Sequence, residues 1–264
     1  MPAHDAAEDT RLLVAYVREA GAIARKYFRG TFTVTNKGNN SPVTEADIAI
    51  DNFLHDKLLA QRPDYGWLSE ESANDPERLT RALTFVVDPI DGTHGFVKGR
   101  AQFTIVAAVV AEGRPLSAAI YNPITEEMFE AALGHGARKN GAPIHVSGTT
   151  ELADSRLLFA RDVFDSPRWA TPWPESVTVE TRASIAYRMG LVAAGEFDAM
   201  VSPTRKSDWD LAAGDLLVHE AGGMVTDGDG SLLIYNRPLP DQETVICATP
   251  ALHGLLRARL RERT

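Results

Sequence analysis

Three places in the chain gather carboxylates at the end of an apolar run. They are Glu70 and Glu71 in "WLSEES", Asp88 and Asp91 in "TFVVDPIDGTHGF", and Asp208 and Asp210 in "KSDWD". Ionised carboxylates crowded at a strand exit repel one another and raise each other's pKa unless a cation neutralises them. Hard divalent ions take oxygen ligands, and Mg²⁺ is commonly held by a few carboxylates together with water and substrate phosphate. The chain offers no Cys-His spacing suited to zinc, so an oxygen-rich Mg²⁺ site is the expectation.

The stretch from Asp88 carries more than charge. Pro89 fixes its own φ and biases Asp88 toward an extended conformation, so a strand can deliver Asp88 and then turn sharply. Ile90 lies between the two acids, where its backbone carbonyl is available to a cation. Gly92 permits close backbone approach, and "GTHGF" can open a short helix whose free N–H groups would hold an anion. A cation cluster beside an anion cradle is what hydrolysis of a phosphate ester requires. Taken singly, Asp-Pro-x-Asp-Gly is ordinary turn chemistry, "SEES" a solvated loop and "SDWD" a helix cap. Their co-occurrence in one chain points to a site.

These groups must be carried by a sizeable fold. The chain has 264 residues, enough for one large or two smaller domains, with 44% hydrophobic and 24% charged residues. Apolar positions Leu12, Leu13, Tyr16, Ile23, Tyr27 and Phe28 predict a helix over about 9–28 that Gly30 stops. After the β-rich "TFTVTNKG", the run "SPVTEADIAIDNFLHDKLL" predicts a second helix. It would be capped by Ser41 or Thr44, with Ile48, Phe53, Leu54 and Leu58 buried. "YGWLSEES", "TFVVDPI", "FTIVAAVVAEG", "RPLSAAIYNP" and "EMFEAAL" read as strands, and "KNGAP" holds an Asn-Gly hairpin signal. Beyond about Ser147 the pattern changes to alternation. Strands in "SRLLFA", "SVTVE", "FDAMVS", "GMVTD" and "ETVICAT" are interleaved with helices in "SIAYRMGLVAAG", "WDLAAGDLLVHEAG" and "PALHGLLRARLRER". The expected architecture is α/β, with an α+β first half over 1–148 and an α/β second half over 149–264.

The motifs "SEES" (69–72), "DPIDGT" (88–93) and "WDLAAGDLLVHEAGG" (209–223), with "KGNNSPVTEAD" (37–47), together resemble the inositol monophosphatase superfamily. That resemblance runs from about residue 10 to the C-terminus and implies a layered αβαβα sandwich. It implies a Mg²⁺-dependent, lithium-sensitive phosphomonoesterase with two or three ions per site. Glu70, Asp88 and the Ile90 carbonyl are implied ligands of the first ion, and Asp88, Asp91 and Asp210 of the second, so that Asp88 bridges. A third, weaker ion lies near Glu70 in such proteins. Thr93 with Asp47 is implied to orient and deprotonate the attacking water, and the Gly92 and Thr93 amides to hold phosphate. The implied reaction is in-line attack on phosphorus by a metal-activated water, without a phosphoenzyme.

Members of the family act on inositol monophosphates, 3'(2'),5'-bisphosphate nucleotides, histidinol phosphate or fructose 1,6-bisphosphate. Those acting on inositol phosphates usually place a glutamate seven residues before the last metal aspartate, where this chain has Pro203. Arg205 and Lys206 put positive charge there instead, suited to a second phosphate. The reading therefore favours a bisphosphate nucleotide such as 3'-phosphoadenosine 5'-phosphate over inositol 1-monophosphate, with the other two substrates behind. A reading of a different class is a regulatory protein that docks on transcription or translation machinery.

The net charge of −9 argues against general nucleic-acid binding. The single cysteine, Cys247, the absence of an apolar run long enough to span a bilayer, and an N-terminus without a basic and apolar leader point to the cytoplasm. The expected partner is a small phosphorylated metabolite, and the family habit is a homodimer.

Overall fold

The computed structural model describes residues 5–36, 42–167 and 169–260. Ser41 as a cap, the Lys37–Asn40 part of the "KGNNSPVTEAD" motif and residues 261–263 of the expected last helix lie outside them.

Helix α1 (Ala6–Tyr27) starts at Asp5, whose carboxylate accepts the amides of Ala7 and Glu8, and closes where the Phe28 amide reaches the Ala24 carbonyl. Its buried stripe is Leu13, Val17, Ala20 and Ala24, while Leu12, Tyr16, Ile23, Tyr27 and Phe28 flank it half-buried. Strands β1 (Val34–Asn36) and β2 (Pro42–Thr44) form an antiparallel ribbon, so the second helix begins later than its sequence suggests. Helix α2 (Glu45–Gln61) is capped by Thr44, and Asp47 returns a bond to the Thr44 amide, a reciprocal capping box. Ala46, Ile50, Leu54 and Leu58 are its buried face. Ile48 is 44% exposed, correcting its place in the expected stripe. Two residues are about 200° of helical turn, so Ile48 must face away when Ile50 faces in.

Strands β3 (Gly66–Ser69), β4 (Thr84–Asp91), β5 (Thr104–Ala111), β6 (Arg114–Asn122), β7 (Glu127–Ala132), β8 (Ala137–Lys139) and β9 (Ala142–Ile144) form one seven-stranded sheet in sequence order. Only β3 and β4 pair in parallel. Short helix α3 (Thr93–Val97) directly follows β4. Asn140 and Gly141 both have positive φ at the β8–β9 hairpin, as the Asn-Gly signal requires. Every residue of β4 is buried: Phe85 and Val87 face one apolar core, Val86 the other. Burial on both faces explains why its sequence reads as one apolar run instead of an alternation.

The second half supplies β10 (Arg156–Leu158), α4 (Arg161–Phe164), β11 (Thr178–Glu180), α5 (Ile185–Ala193), β12 (Ala199–Ser202), β13 (Lys206–Ser207), α6 (Asp208–Glu220), β14 (Met224–Thr226), β15 (Asp241–Gln242), β16 (Val245–Ala248) and α7 (Pro250–Arg259). Five of its strands form a mixed sheet in the order β11-β10-β12-β16-β14. Helices α1 and α2 cover the outer face of the seven-stranded sheet. Helices α5 and α6 pack between the two sheets, and α7 covers the far face of the second. The result is an α/β/α/β/α sandwich. Among the described residues no helix is long and apolar enough to cross a membrane.

Candidate active site

Strand β4 ends in a register shift. Asp88 still pairs with Val106 of β5, and pairing resumes only at Asp91 with Thr104. Pro89, which has no N–H to give the ladder, sits in that irregularity, and a bulge there re-aims the flanking side chains. Asp88 and Asp91 are thereby both buried at the strand exit. Gly92 follows with φ 92°, a left-handed conformation, and a Cβ on it would lie 2.9 Å from the Gln102 carbonyl and 3.0 Å from the Ser184 nitrogen. Only glycine fits that position without strain. Thr93 then opens α3, where the first amides have no intrahelical acceptor.

Three carboxylates converge. Asp88, Asp91 and Asp210 each offer one oxygen, all within 4.8 Å of one another. Asp91 Oδ2 accepts the Ser184 hydroxyl and the Ala186 amide, both at 2.6 Å, from the start of α5. Asp210, in the first turn of α6, accepts the Ser207 amide at 2.8 Å. Asp88 Oδ1 accepts the Ile90 amide at 3.0 Å, whereas Asp88 Oδ2 is buried without a hydrogen-bond partner. Glu70 is outside the tightest trio, but its amide donates to the Val87 carbonyl at 3.3 Å, one residue before Asp88, and its charge adds repulsion at Asp47, Asp88 and Asp210. Asp208, its sequence neighbour notwithstanding, turns away to the Asn236 amide and the Gln242 side chain.

Asp47 lies beside this cluster on the first turn of α2. Thr93 Oγ1 has one proton and two acceptors, the Ile90 carbonyl at 2.9 Å and Asp47 Oδ1 at 3.4 Å. Burial pushes Asp47 up to about 6, against the bonds from Thr44. Burial raises Asp88 well above the usual carboxylate range, with Glu70, Asp91 and Asp210 adding repulsion. Burial also raises Asp91, opposed by Ser184, the Ala186 amide and the Arg188 guanidinium. Asp210 is raised by burial and by Asp91, and lowered by the nearby Lys206 charge.

An unpaired buried carboxylate oxygen among acids with raised pKa values is a poor arrangement unless a cation is part of it. The donor set is all oxygen, which fits Mg²⁺ better than a soft ion, and among the described residues no His or Cys joins a competing cluster.

The two basic residues expected near the site part company. Arg205 is held outward by Asp241 Oδ2 at 2.9 Å and Glu243 Oε1 at 3.5 Å. Lys206 donates to Thr204 Oγ1 at 3.1 Å and to the Arg205 carbonyl, with its charge still felt at Asp210. Sequence reasoning missed Ser184 and Arg188. Ser184 caps α5 by accepting the Tyr187 amide, so a serine before an apolar helical run was its only local signal. Arg188, one turn along, is buried and binds the Arg182 carbonyl.

The five-layer sandwich thus brings an all-oxygen acid cluster and a helix-opening Gly-Thr to one strand exit, an arrangement suited to a class of proteins that bind phosphate esters beside a cation. The family model described as "Inositol monophosphatase family" matches residues 5–264. The chain is 34% identical over 231 residues to inositol monophosphatase 3 of Solanum lycopersicum, covering 83% of this chain and 85% of that protein. It is 32% identical over 229 residues to Nus factor SuhB of Escherichia coli (strain K12), with the same coverage. It is 29% identical over 239 residues to the 3'(2'),5'-bisphosphate nucleotidase CysQ of Aggregatibacter actinomycetemcomitans, covering 85% and 86%. An IMPase structure from Thermotoga maritima superposes with a TM-score of 0.84 at 26% identity, covering 95% of this chain and 96% of that one. The chain belongs to the inositol monophosphatase family and is a phosphomonoesterase.

Proposed function

We propose that the chain hydrolyses a phosphate monoester of a small metabolite, and that Asp88, Asp91 and Asp210, joined by Glu70 and the Ile90 carbonyl, would hold the Mg²⁺ it needs. The observation that carries this reading is Asp88 Oδ2, buried in an acid cluster with no donor of its own. Bound there, the cation supplies charge neutralisation for the phosphate and acidifies water. The chain's own residues do the rest. The Gly92 and Thr93 amides hold phosphate oxygens at the start of α3. Thr93 Oγ1 takes a hydrogen bond from the attacking water and passes a proton to Asp47, whose Oδ1 lies 3.4 Å away. Water oxygen bonds to phosphorus as the ester P–O bond breaks, the leaving oxygen takes up a proton that offsets the one Asp47 received, and the products are the alcohol and inorganic phosphate. In this reading the division near residue 148 puts Glu70, Asp88, Ile90 and Asp91 in one half and Asp210 in the other.

For the substrate we favour a 3'(2'),5'-bisphosphate nucleotide. Pro203 removes the glutamate that would meet inositol hydroxyls, and Lys206 leaves a positive charge beside Asp210 for a second phosphate. Inositol 1-monophosphate is the second reading, favoured by the pairing of Arg205 with Asp241 and Glu243, which withdraws one of the two cations. A phosphate-release panel with Mg²⁺ tests both, comparing the bisphosphate nucleotide, inositol 1-phosphate, histidinol phosphate and fructose 1,6-bisphosphate. Highest kcat/KM on the nucleotide is expected, and preference for inositol 1-phosphate overturns the substrate choice. Release from none of them overturns the enzymatic reading. It would favour instead a docking role, for which the likeness to a protein named Nus factor SuhB is the supporting observation.

A further inference from the structure

Helix α2 carries a polar stripe beside its apolar one. Asp47, Asp51 and His55 stand at i, i+4 and i+8, so they share one face. Asp47 meets Thr93, and His55 stands edge-on to Trp67 with ring centroids 5.1 Å apart. Asp51, between them, is buried, and no lysine or arginine of the described residues pairs with it.

Asp51 instead takes hydroxyls from both ends of the "SEES" turn. Ser69 Oγ donates to Asp51 Oδ1 at 2.5 Å and Ser72 Oγ to Asp51 Oδ2 at 2.6 Å. Two further bonds brace the same serines: the Glu71 amide reaches Ser69 Oγ at 3.4 Å, and Trp67 Nε1 reaches Ser72 Oγ at 3.2 Å. The Glu70 amide is pinned to the Val87 carbonyl of β4 at 3.3 Å, one residue before Asp88. Glu70 is therefore the centre of a turn whose two flanks are tied to one buried carboxylate and whose backbone is tied to the strand bearing Asp88. A buried carboxylate without a cationic partner is expensive to keep, and an apolar residue would fill that space at lower cost. What Asp51 adds is orientation.

We propose that Asp51 is a positioning residue. By holding Ser69 and Ser72 it aims the Glu70 carboxylate at the Asp88–Asp91–Asp210 cluster, and through α2 it ties that aim to Asp47. The inference rests on the reading of Glu70 as a cation ligand. Partners that orient ligands typically cost about 10–100-fold in metal affinity when removed.

The test is calorimetric titration of Mg²⁺ into the metal-free full chain, beside the Mg²⁺ concentration for half-maximal phosphate release and kcat at saturating Mg²⁺. Asp51→Ala and the double variant Ser69→Ala/Ser72→Ala are expected to raise the Mg²⁺ dissociation constant roughly 10–100-fold. Most of kcat should return at saturating Mg²⁺. Asp51→Asn keeps one acceptor and gains a donor to the other hydroxyl, and should bind Mg²⁺ nearly as the wild type does. If Asp51→Ala fails to fold, the double variant, which leaves the carboxylate in place, reads the same claim. Wild-type Mg²⁺ affinity in either folded variant overturns the inference. Glu70→Gln run alongside separates the two failures: wild-type affinity there sinks the Glu70 assignment itself, whereas weakening in Glu70→Gln alone sinks only the role of Asp51.

Discussion

Replacing Asp88 by asparagine should move stability and metal response in opposite directions. In the metal-free chain Asp88 contributes a buried charge within 4.8 Å of oxygens from Asp91 and Asp210. At an effective dielectric of about 20, two unit charges at 4.8 Å repel by about 3.5 kcal/mol. Part of that is already relieved by proton uptake, since Asp88 is raised well above its ordinary pKa. The asparagine keeps an acceptor for the Ile90 amide and gives the orphaned position an N–H that neighbouring carboxylates can accept. A gain of about 1–3 kcal/mol follows, or roughly 2–12 °C in Tm for a chain of this size. Saturating Mg²⁺ at about 100 times its Kd should stabilise the wild type by about 2.7 kcal/mol and the variant hardly at all. Thermal melts of both proteins in chelator and in Mg²⁺ decide the matter. A variant that melts lower without metal and keeps the full Mg²⁺ increment would refute the electrostatic reading of the cluster.

Other perturbations probe separate parts of the site. Gly92→Ala forces a side chain into a left-handed residue and against the Gln102 carbonyl and Ser184, so it should cost about 2–4 kcal/mol and weaken Mg²⁺ binding through Asp91. An unchanged melt would show that the backbone relaxes freely there. Lys206→Ala should raise KM for a bisphosphate nucleotide roughly tenfold, while Arg205→Ala changes it less than about twofold because its guanidinium is engaged by Asp241 and Glu243. Kinetics on the two variants distinguish these outcomes. His219 donates to Asp215 at 2.6 Å, which raises its pKa against burial and, to a smaller extent, the Arg114 charge. Its charged bond should contribute about 1–2 kcal/mol below the unfolded value near 6.5, and that contribution should fade as pH rises through the raised folded value. The stability gap between wild type and His219→Gln should therefore be wider at pH 5.5 than at pH 9.

Local chemistry made much of this fold readable. Asp-Pro-x-Asp-Gly-Thr carries its own turn, the unbroken apolar run of β4 reports burial on two faces, and Asn140-Gly141 specifies its hairpin without outside help. What stayed hidden depends on distant partners. Ser184 reaches Asp91 across 93 residues, and Arg205 finds Asp241 across 36. Nothing in "SPVTEAD" says that Pro42–Thr44 will pair with Val34–Asn36 before α2 begins. Ile48 is apolar and groups with Leu54 and Leu58 by residue type, but the face that packs inward runs through Ala46 and Ile50 instead. Asp51 reads as one more helix acid until Ser69 and Ser72 are folded against it. The alcohol half of the substrate is least legible of all, since Pro203 and Lys206 mark it only indirectly.

The most direct measurement follows inorganic phosphate release while Mg²⁺ is returned to chelated wild type and to Asp91→Asn. Release from the wild type should vanish in chelator and recover with Mg²⁺. Asp91→Asn, verified as folded, should stay at least about a hundredfold slower at every Mg²⁺ concentration. Turnover that survives chelation, or full activity in Asp91→Asn, would contradict the assignment of this cluster as the centre of the reaction.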